Sequence, residues 1–307
     1  MGIRTNPILN VICRPVIWIA QFVGRNYPET LVKVRYWARF KRRLNLNNPQ
    51  TLNEKILYMS LRTDTTLWTR LADKYAVREY VEECGLADIL VPLYGHWENA
   101  HEINFNQLPN SYVLKTVQGS GDIIVVKDKN IVDTERIRQQ IEKSSKVKYG
   151  ELEGGKHYMR IKSAIIAEEL LINDEDSTKY SNSIIDYKVW CFNGNPYYIM
   201  TCTNRKGNGV ELQMYDTDWI PHETYIKQST HYKSGAIIPT PPKLDKVLEY
   251  SKILSKQFPV VRVDFYNIGG KIYFGEMTFT SLGGLMDYYT DEFQEMCGNL
   301  IDINYKG

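Results

Sequence analysis

Residues 260–278 read VVRVDFYNIGGKIYFGEMT, and this segment carries the clearest structural pattern in the chain. Two runs of apolar and β-prone residues flank the turn segment Asn267–Gly270, so the pattern predicts a β-hairpin. Asp264 lies inside the first run and Glu276 lies at the end of the second. Because facing residues of a short hairpin lie close together, we expect the two acids to meet on one face.

This pair of acids is a candidate metal site. Two carboxylates that converge on neighbouring strands repel each other unless a cation lies between them. Magnesium binds to one or two carboxylates, and phosphate oxygens and water complete its octahedron. The hairpin therefore predicts a magnesium site at Asp264 and Glu276, and the alternative is a pair of acids at a solvent-exposed sheet edge.

A lysine followed by a glycine-rich turn lies earlier in the chain. Lys115 belongs to the β-rich run YVLKTV, and the turn Gln118-Gly119-Ser120-Gly121-Asp122 comes after it. The backbone N–H groups of such a turn can approach phosphates without obstruction, and Lys115 adds a positive charge. The turn matches neither the P-loop nor the dinucleotide-binding pattern, and short G-S-G turns are also common without a ligand.

Other charged residues lie at the ends of predicted strands. Asp186-Tyr187-Lys188 begins one strand, and Arg205 follows the strand that pairs with it. Surface ion pairing is the alternative interpretation for each of them. Glu168-Glu169 ends an apolar strand, and a hinge at this point can offer backbone groups to an adenine ring.

In this order, these segments resemble the ATP-grasp superfamily over roughly residues 65–300. Within the superfamily they resemble the TupA-like branch, which is named for teichuronopeptide biosynthesis. Several separate phrases in one order are more specific than any single motif. The matching phrases are Asn53-Glu54-Lys55, Asp73-Lys74-Tyr75, Arg78-Glu79-Tyr80-Val81, Val113-Leu114-Lys115, Asp186-Tyr187-Lys188, Arg262–Tyr266 and Phe274–Thr280.

The resemblance implies a role for each candidate residue. Asp186 would lie near the ribose, and Lys188 and Arg205 would face the phosphates or an acyl phosphate. Glu168 and the hinge would face the adenine. The implied cofactor-binding residues, for ATP, are Lys74, Lys115, Gly119, Ser120, Gly121, Glu168, Glu169, Leu171 and Asp186.

The implied metal residues include one departure from the family pattern. Asp264 and Glu276 would bind Mg²⁺, and the family usually has an Asn two residues after the Glu. This chain has Thr278 at that position. A hydroxyl is the poorer ligand, so the second magnesium of the family pattern is the least secure part of the resemblance.

The fold class predicted from the pattern is α+β, with two clusters of strands and helices between them. The resemblance implies an ATP-grasp fold, in which two α+β lobes hold ATP between them. We expect a helical N-terminal segment at 1–60, broken at Pro28 and Pro49, and one helix at 65–85. The ATP-grasp domain is expected at 61–307, with a lid subdomain at about 110–170 and a C-terminal lobe at about 171–307.

The resemblance implies an ADP-forming carboxylate–amine ligase that works through an acyl phosphate. The branch name implies a uronic-acid-bearing glycan or precursor as the carboxylate substrate, with an amino acid or amine as the second substrate. Trp190, Tyr215, Trp219 and Tyr288 could stack on sugar rings, but core packing is the simpler interpretation. The alternatives are a glycosyltransferase, for which Asp216-Thr217-Asp218 is the D-x-D sequence, and a non-catalytic nucleotide-binding assembly protein.

Charge and cysteine content restrict the partners and the compartment. The net charge of +2 is too small to predict nucleic-acid binding. The five scattered cysteines predict no disulfide framework, which fits a reducing, cytoplasmic compartment. Residues 7–24 are apolar and precede a basic run at 33–43, so this part predicts either a packed helix or a peripheral helix on the inner membrane face. The oligomeric state is not predicted.

Overall fold

The N-terminal segment is helical. The computed structural model describes residues 7–119, 123–207 and 209–307, with side chains from residue 16 onward. Its first helices are α1 (Pro7–Asn26), α2 (Pro28–Phe40) and α3 (Leu52–Arg62). Thr51 caps the start of α3 with a capping box. Its hydroxyl oxygen accepts a hydrogen bond from the Glu54 N–H, and the Glu54 carboxylate accepts one from the Thr51 N–H. The predicted breaks at Pro28 and Pro49 are confirmed.

The prediction of one helix over residues 65–85 is wrong, because this segment forms two helices. They are α4 (Thr66–Ala72) and α5 (Val77–Glu83). Between them, the Asp73 carboxylate accepts the backbone N–H groups of Tyr75 (2.8 Å) and Ala76 (3.0 Å). An Asp that binds nearby backbone N–H groups competes with helical hydrogen bonds, so α4 ends there.

A four-stranded antiparallel sheet lies within residues 93–168, and we call it the lid sheet. Its strands, in the spatial order β1-β4-β2-β3, are β1 (Leu93–Trp97), β4 (Ile165–Glu168), β2 (Tyr112–Thr116) and β3 (Ile123–Val126). Helix α6 (Thr134–Ser145) packs Ile137 and Ile141 against this sheet. Two short helices, α7 (Tyr149–Glu153) and α8 (Lys156–Met159), then lead back to β4.

A six-stranded sheet forms the larger part of the molecule, and we call it the large sheet. Its spatial order is β10-β9-β5-β6-β7-β8, and only the β7–β8 pair is parallel among these strands. Its strands and the remaining helices are α9 (Glu175–Thr178), β5 (Asp186–Phe192), β6 (Asn195–Lys206), β7 (Gly209–Asp216), β8 (Tyr232–Ser234), α10 (Leu244–Ser255), β9 (Val260–Ile268), β10 (Lys271–Thr278) and α11 (Asp291–Leu300).

The hairpin predicted over residues 260–278 is formed by β9 and β10. Its register places Glu276 opposite Asp264, and β5 places Lys188 opposite Asp264 on the other side. The register shifts between Phe274 and Glu276, where a Cβ on Gly275 would lie 2.9 Å from the Asp264 carbonyl oxygen. Glycine therefore allows the close backbone approach that brings Glu276 beside Asp264.

The large sheet is buried by helices on its faces. Its core includes fully buried rings on the strands and on α11, such as Trp190, Phe265 and Phe293. Short 3₁₀ turns complete the connections at Ala87–Ile89, Ala100–Glu102, Phe105–Gln107, Lys129–Ile131, Glu223–Tyr225 and Ser281–Gly284. Among the helices that the structure describes, none combines the length and apolar character needed to cross a membrane.

Candidate functional site

The centre of the site is a row of charged side chains across three neighbouring strands. Lys188 on β5, Asp264 on β9 and Glu276 on β10 are aligned by the sheet register. The Lys188 Nζ donates to Asp264 Oδ2 and lies 3.6 Å from Asp186 Oδ2. Because Asp264 is buried and the Lys188 side chain is only 11% exposed, their opposite charges meet where water screens them weakly.

Arg262 joins this row, and the sequence analysis did not assign it a role. Its Nε and Nη2 each donate to one oxygen of Asp264 at 2.7 Å, which makes a bidentate pair. Its Nη1 donates to Ser281 Oγ at 2.7 Å. The signal was present in the sequence, because residues two apart on a strand face the same side and Arg262 precedes Asp264 by two.

Burial and the neighbouring charges shift the pKa values of Asp264 and Lys188 in opposite directions. Burial alone would raise the pKa of Asp264, but Arg262 and Lys188 more than offset it, so the pKa lies below its usual value. Burial alone would lower the pKa of Lys188, but Asp186 and Asp264 raise it above its usual value. The side chains are therefore ionised at neutral pH and stabilise one another.

The cation between the two acids is the Arg262 guanidinium. Its Nη2 lies 3.3 Å from Glu276 Oε1 as well as 2.7 Å from Asp264 Oδ2. The repulsion on which the metal hypothesis rested is therefore relieved by a side chain of the protein itself. Among the described residues, no group of three or more His, Cys, Asp and Glu side chains could hold a metal ion alone.

The residues nevertheless fit magnesium of the kind that arrives with a nucleotide. Glu276 is 40% exposed, and its Oε1 accepts from Thr278 Oγ1 at 3.0 Å. One exposed carboxylate plus phosphate oxygens and water is a common magnesium environment. Asp264 differs, because Arg262 and Lys188 already occupy both of its oxygens.

The lid sheet contributes a second group of charges. On β2, Lys115 Nζ donates to Glu168 Oε2 at 2.6 Å, and Arg78 Nη1 donates to Glu168 Oε1 at 3.3 Å. Glu168 is thus held between two cations at the end of β4. Arg78 is a further residue to which the sequence analysis gave no role.

Lys74 connects the two groups of charges. Its Nζ donates to the Gly119 carbonyl oxygen at the start of the glycine-rich turn. Burial lowers the pKa of Lys74, while Glu276 on the large sheet raises it and Lys115 on the lid sheet lowers it. Lys74 therefore interacts with charged residues from both sheets.

The other predicted residues lie on strands of the two sheets or directly after them. Asp186 is paired with Arg205, whose Nη2 lies 2.5 Å from its Oδ2, and Arg205 is half-exposed. The Glu169 N–H donates to the Pro92 carbonyl oxygen at 3.0 Å, and Leu171 is partly buried just beyond it. Ser120 and Gly121 lie outside the described residues.

The proposed aromatic and D-x-D sites have structural explanations. The four aromatic residues considered for sugar stacking are buried in the core or nearly so: Trp190, Tyr215, Trp219 and Tyr288. The Asp216 carboxylate accepts the backbone N–H groups of Asp218 (3.0 Å) and Ile220 (2.9 Å). This D-x-D sequence therefore shapes a turn after β7.

A loop after β10 meets the N-terminal helices. Leu282, Gly283 and Gly284 all have positive φ, at 50°, 67° and 75°. A Cβ on Gly283 would lie 3.3 Å from Arg35 Nη1 and 3.3 Å from Glu153 Cδ. The Arg35 Nη1 atom is buried without a hydrogen-bond partner among the described residues. No local sequence signal joins these distant positions.

The solved structures that match this chain include two D-alanine–D-alanine ligases and the ATP-grasp ligase PsnB, all at TM-scores below 0.5. D-alanine–D-alanine ligase from Bacillus anthracis, complexed with ATP, shares 14% identity at a TM-score of 0.43, covering 75% of this chain and 61% of that chain. D-alanine–D-alanine ligase from Helicobacter pylori shares 13% identity at a TM-score of 0.41, and the match covers 82% of this chain and 66% of that chain. The ATP-grasp ligase PsnB, complexed with minimal precursor, shares 12% identity at a TM-score of 0.43, and the match covers 97% of this chain and 76% of that chain. This chain spans less than two thirds of the length of the two D-alanine–D-alanine ligases.

Sequence-family comparison gives the assignment. The search of curated proteins found no match. A family model described as TupA-like ATPgrasp matches residues 54–302, which is most of the chain. The resemblance seen in the separate phrases, and the ATP-grasp fold that it implied, are thereby confirmed. This chain belongs to the TupA-like ATP-grasp family.

Proposed function

We propose that this protein is an ATP-dependent carboxylate–amine ligase that forms ADP. The observation that carries the proposal is the row in which Lys188 and Arg262 hold Asp264 beside the exposed Glu276. Phosphoryl transfer needs positioned positive charge more than covalent help. A row of cations beside one available carboxylate meets that need.

The first step transfers the γ-phosphoryl group to a substrate carboxylate. A carboxylate oxygen forms a bond to the γ-phosphorus, the bond from that phosphorus to the β–γ bridging oxygen breaks, and ADP leaves. In this proposal Lys74 and Lys115 hold the ATP phosphates, and the turn Gly119–Asp122 covers them. Glu168, Glu169 and Leu171 border the adenine.

Magnesium, when bound, neutralises phosphate charge during this step. Glu276 is its principal proposed ligand, because its carboxylate is partly exposed. Thr278 orients that carboxylate through its hydroxyl hydrogen bond. Asp264 would join as a ligand by exchanging its contacts with Arg262 and Lys188.

The second step joins the amine to the acyl group. The amine nitrogen forms a bond to the acyl carbon, the bond from that carbon to the phosphate-bearing oxygen breaks, and phosphate leaves as the nitrogen loses a proton. Lys188, Arg205 and Arg262 are proposed to hold the phosphoryl oxygens throughout. Asp186 orients two of these cations through its ion pairs with Lys188 and Arg205.

The proposed substrates are a uronate-bearing glycan or precursor and an amino acid or amine. Arg35 supports this proposal, because its buried Nη1 lies near Gly283, has no hydrogen-bond partner among the described residues and can pair with a substrate carboxylate. Glu153, at the end of α7, lies beside the same loop and can receive an ammonium group. Since ATP is the proposed co-substrate, we propose that the reaction takes place in the cytoplasm.

The test measures products with uronate-bearing oligosaccharides and amines. We expect ADP and phosphate in equal amounts, and only when carboxylate and amine are both present. AMP with pyrophosphate would contradict the acyl-phosphate route. Stimulation by simple amino-acid carboxylates but never by uronates would reject the glycan substrate while retaining the ligase.

Nucleotide binding is tested separately by thermal unfolding with a non-hydrolysable ATP analogue and Mg²⁺. A ligand at a hundredfold excess over Kd stabilises the fold by about 2.7 kcal/mol. We expect a shift in the wild type and none in Asp264→Asn, while Asp218→Asn, in the turn after β7, serves as the matched control. Binding without turnover would favour the non-catalytic alternative.

A further inference from the structure

The N-terminal helices expose an apolar face that the proposed reaction does not use. On α1, Trp18 and Phe22 are 67% and 48% exposed, and the neighbouring Ile19 is also exposed. The Trp18 and Phe22 rings stack at 5.9 Å. Such large apolar side chains, grouped on one helix face, commonly mark an interaction site.

The packing of α1 shows that this face points away from the protein body. Gly24 is buried, and a Cβ there would lie 1.8 Å from the Glu151 carbonyl oxygen of α7. At about 100° per residue, Gly24 lies about 160° from Phe22 and about 120° from Trp18 around the helix. The body therefore covers one side of α1 and leaves the aromatic side open.

Helix α2 continues the same arrangement. Val32 and Tyr36 are buried, whereas Val34 and Trp37 on the opposite side are exposed. The Lys41 Nζ lies 5.4 Å from the centre of the Trp37 ring, which makes a cation–π contact. We use the name amphipathic face for a set of exposed side chains on the two helices and just after α2: Val16, Trp18, Ile19, Phe22, Arg25, Lys33, Val34, Trp37, Lys41 and Arg43.

The charge of this segment is strongly asymmetric. Residues 1–50 hold nine basic and one acidic residue, a net charge of +8. The other 257 residues hold 29 basic and 35 acidic residues, a net charge of −6. A chain of nearly neutral total charge therefore concentrates its positive charge in the sequence segment that carries the amphipathic face.

We propose that the amphipathic face docks on an anionic lipid bilayer. Apolar and aromatic side chains enter the interface of a bilayer, and flanking lysines and arginines bind acidic headgroups. A symmetric pairing of two such faces would bring together two segments of charge +8, which like-charge repulsion opposes. The charge thus favours a lipid surface over a second copy of the chain.

The test is sedimentation of the full chain with lipid vesicles. We expect binding to phosphatidylcholine vesicles that contain about one third phosphatidylglycerol, little binding to pure phosphatidylcholine, and release in about 1 M salt. Equal binding to neutral vesicles, or no binding to either kind, would overturn the proposal. A dimer that dissociates when Trp18 and Phe22 are replaced would instead identify a second copy as the occupant.

Two pairs of substitutions test the two parts of the face. Trp18→Ser with Phe22→Ser should weaken vesicle binding by more than about tenfold. Lys41→Gln with Arg43→Gln should weaken it about 25-fold, from roughly fivefold for each charge removed. Retained binding in both double variants would overturn the proposal.

Matched controls use exposed residues elsewhere. Ile131→Ser with Ile172→Ser, and Lys143→Gln with Lys146→Gln, should leave vesicle binding unchanged. Trp18 fluorescence should shift to shorter wavelength on docking. ATP-analogue binding should remain in all four double variants, so failure of the membrane proposal is distinguishable from failure of the ligase proposal.

Discussion

The large sheet and the lid sheet hold their charged residues in different ways. In the large sheet, Asp264 is buried and bonded to both Arg262 and Lys188. Arg262 lies on the same strand, β9, and Lys188 lies on the neighbouring strand, β5. In the lid sheet, Glu168 has two cationic partners that come from separate elements, Lys115 on β2 and Arg78 on α5. The large sheet is therefore pre-organised by its own register, whereas the lid charges depend on how the elements meet.

Arg262→Met should produce the largest effect on stability. It leaves the buried Asp264 with Lys188 as its remaining cationic partner, and breaking a buried ion pair costs about 3–5 kcal/mol. Denaturant unfolding measures the loss. Arg205→Met is the control, because Arg205 is 51% exposed and its removal should cost less than about 1 kcal/mol. Equal losses in the two variants would remove the distinction between buried and exposed charges.

Lys188→Met tests whether the same row is catalytic. Loss of one positioned donor to a developing charge lowers turnover about 10²–10³-fold. Asp264 keeps its bidentate partner Arg262, so we expect the variant to fold. ADP formation is measured beside Lys246→Met, an exposed lysine on α10 that pairs with Glu249. Unchanged ADP formation in Lys188→Met would make the row structural only.

His157 should make the fold sensitive to acid. Burial lowers the pKa of His157 to about 3, and its Nδ1 has no hydrogen-bond partner among the described residues. The unfolded chain binds this proton near the ordinary pKa of about 6.5. The contribution of neutral His157 to the free energy of unfolding is therefore fully present above about pH 6.5. It is lost as the pH falls toward 3, by about 1.4 kcal/mol per pH unit.

Unfolding free energies measured from pH 7 to pH 4 check this slope. His157→Gln should flatten it, while His231→Gln, at an exposed position, should leave it unchanged. If both variants keep the wild-type slope, the acid sensitivity comes from other groups. His157 lies beside the Thr280 hydroxyl at 3.4 Å, so the result also reports on the connection between α8 and the loop after β10.

Lys115→Met should have a smaller effect on stability than Arg262→Met, about 1 kcal/mol, because Arg78 continues to pair with Glu168. The ATP-analogue shift should nevertheless decrease, since Lys115 is a proposed phosphate ligand. Lys162→Met, which breaks an exposed pair with Glu98, is the control for both measurements. A stability loss equal to that of Arg262→Met would show that the lid charges are as tightly organised as those of the large sheet.

Local patterns predicted the parts of the fold that depend on neighbouring residues. The β9–β10 hairpin was predictable from two apolar runs around Asn267–Gly270. Helix α3 was predictable from Thr51 and Glu54 at capping-box spacing. The strand Gly209–Asp216 was not predicted, although Val210, Leu212 and Met214 alternate with polar residues in the manner of a strand.

Distant contacts could not be predicted from one sequence. The break at Asp73 depends on a side chain that binds backbone N–H groups, which outweighs the helical spacing around it. The approach of Arg35 to Gly283 depends on how the N-terminal helices pack against the loop after β10. The partners of Asp264 likewise required the register of β5 with β9, which no local pattern specifies.

The pairing of Arg262 with Asp264 has a consequence for the order of folding. The two residues are two positions apart on one strand, so the carboxylate receives its neutralising partner from the same short segment. Contacts between near neighbours form early, because little chain entropy is lost in closing them. We therefore expect the β9–β10 hairpin to assemble with its charges already balanced, before the lid sheet docks and before any nucleotide is present.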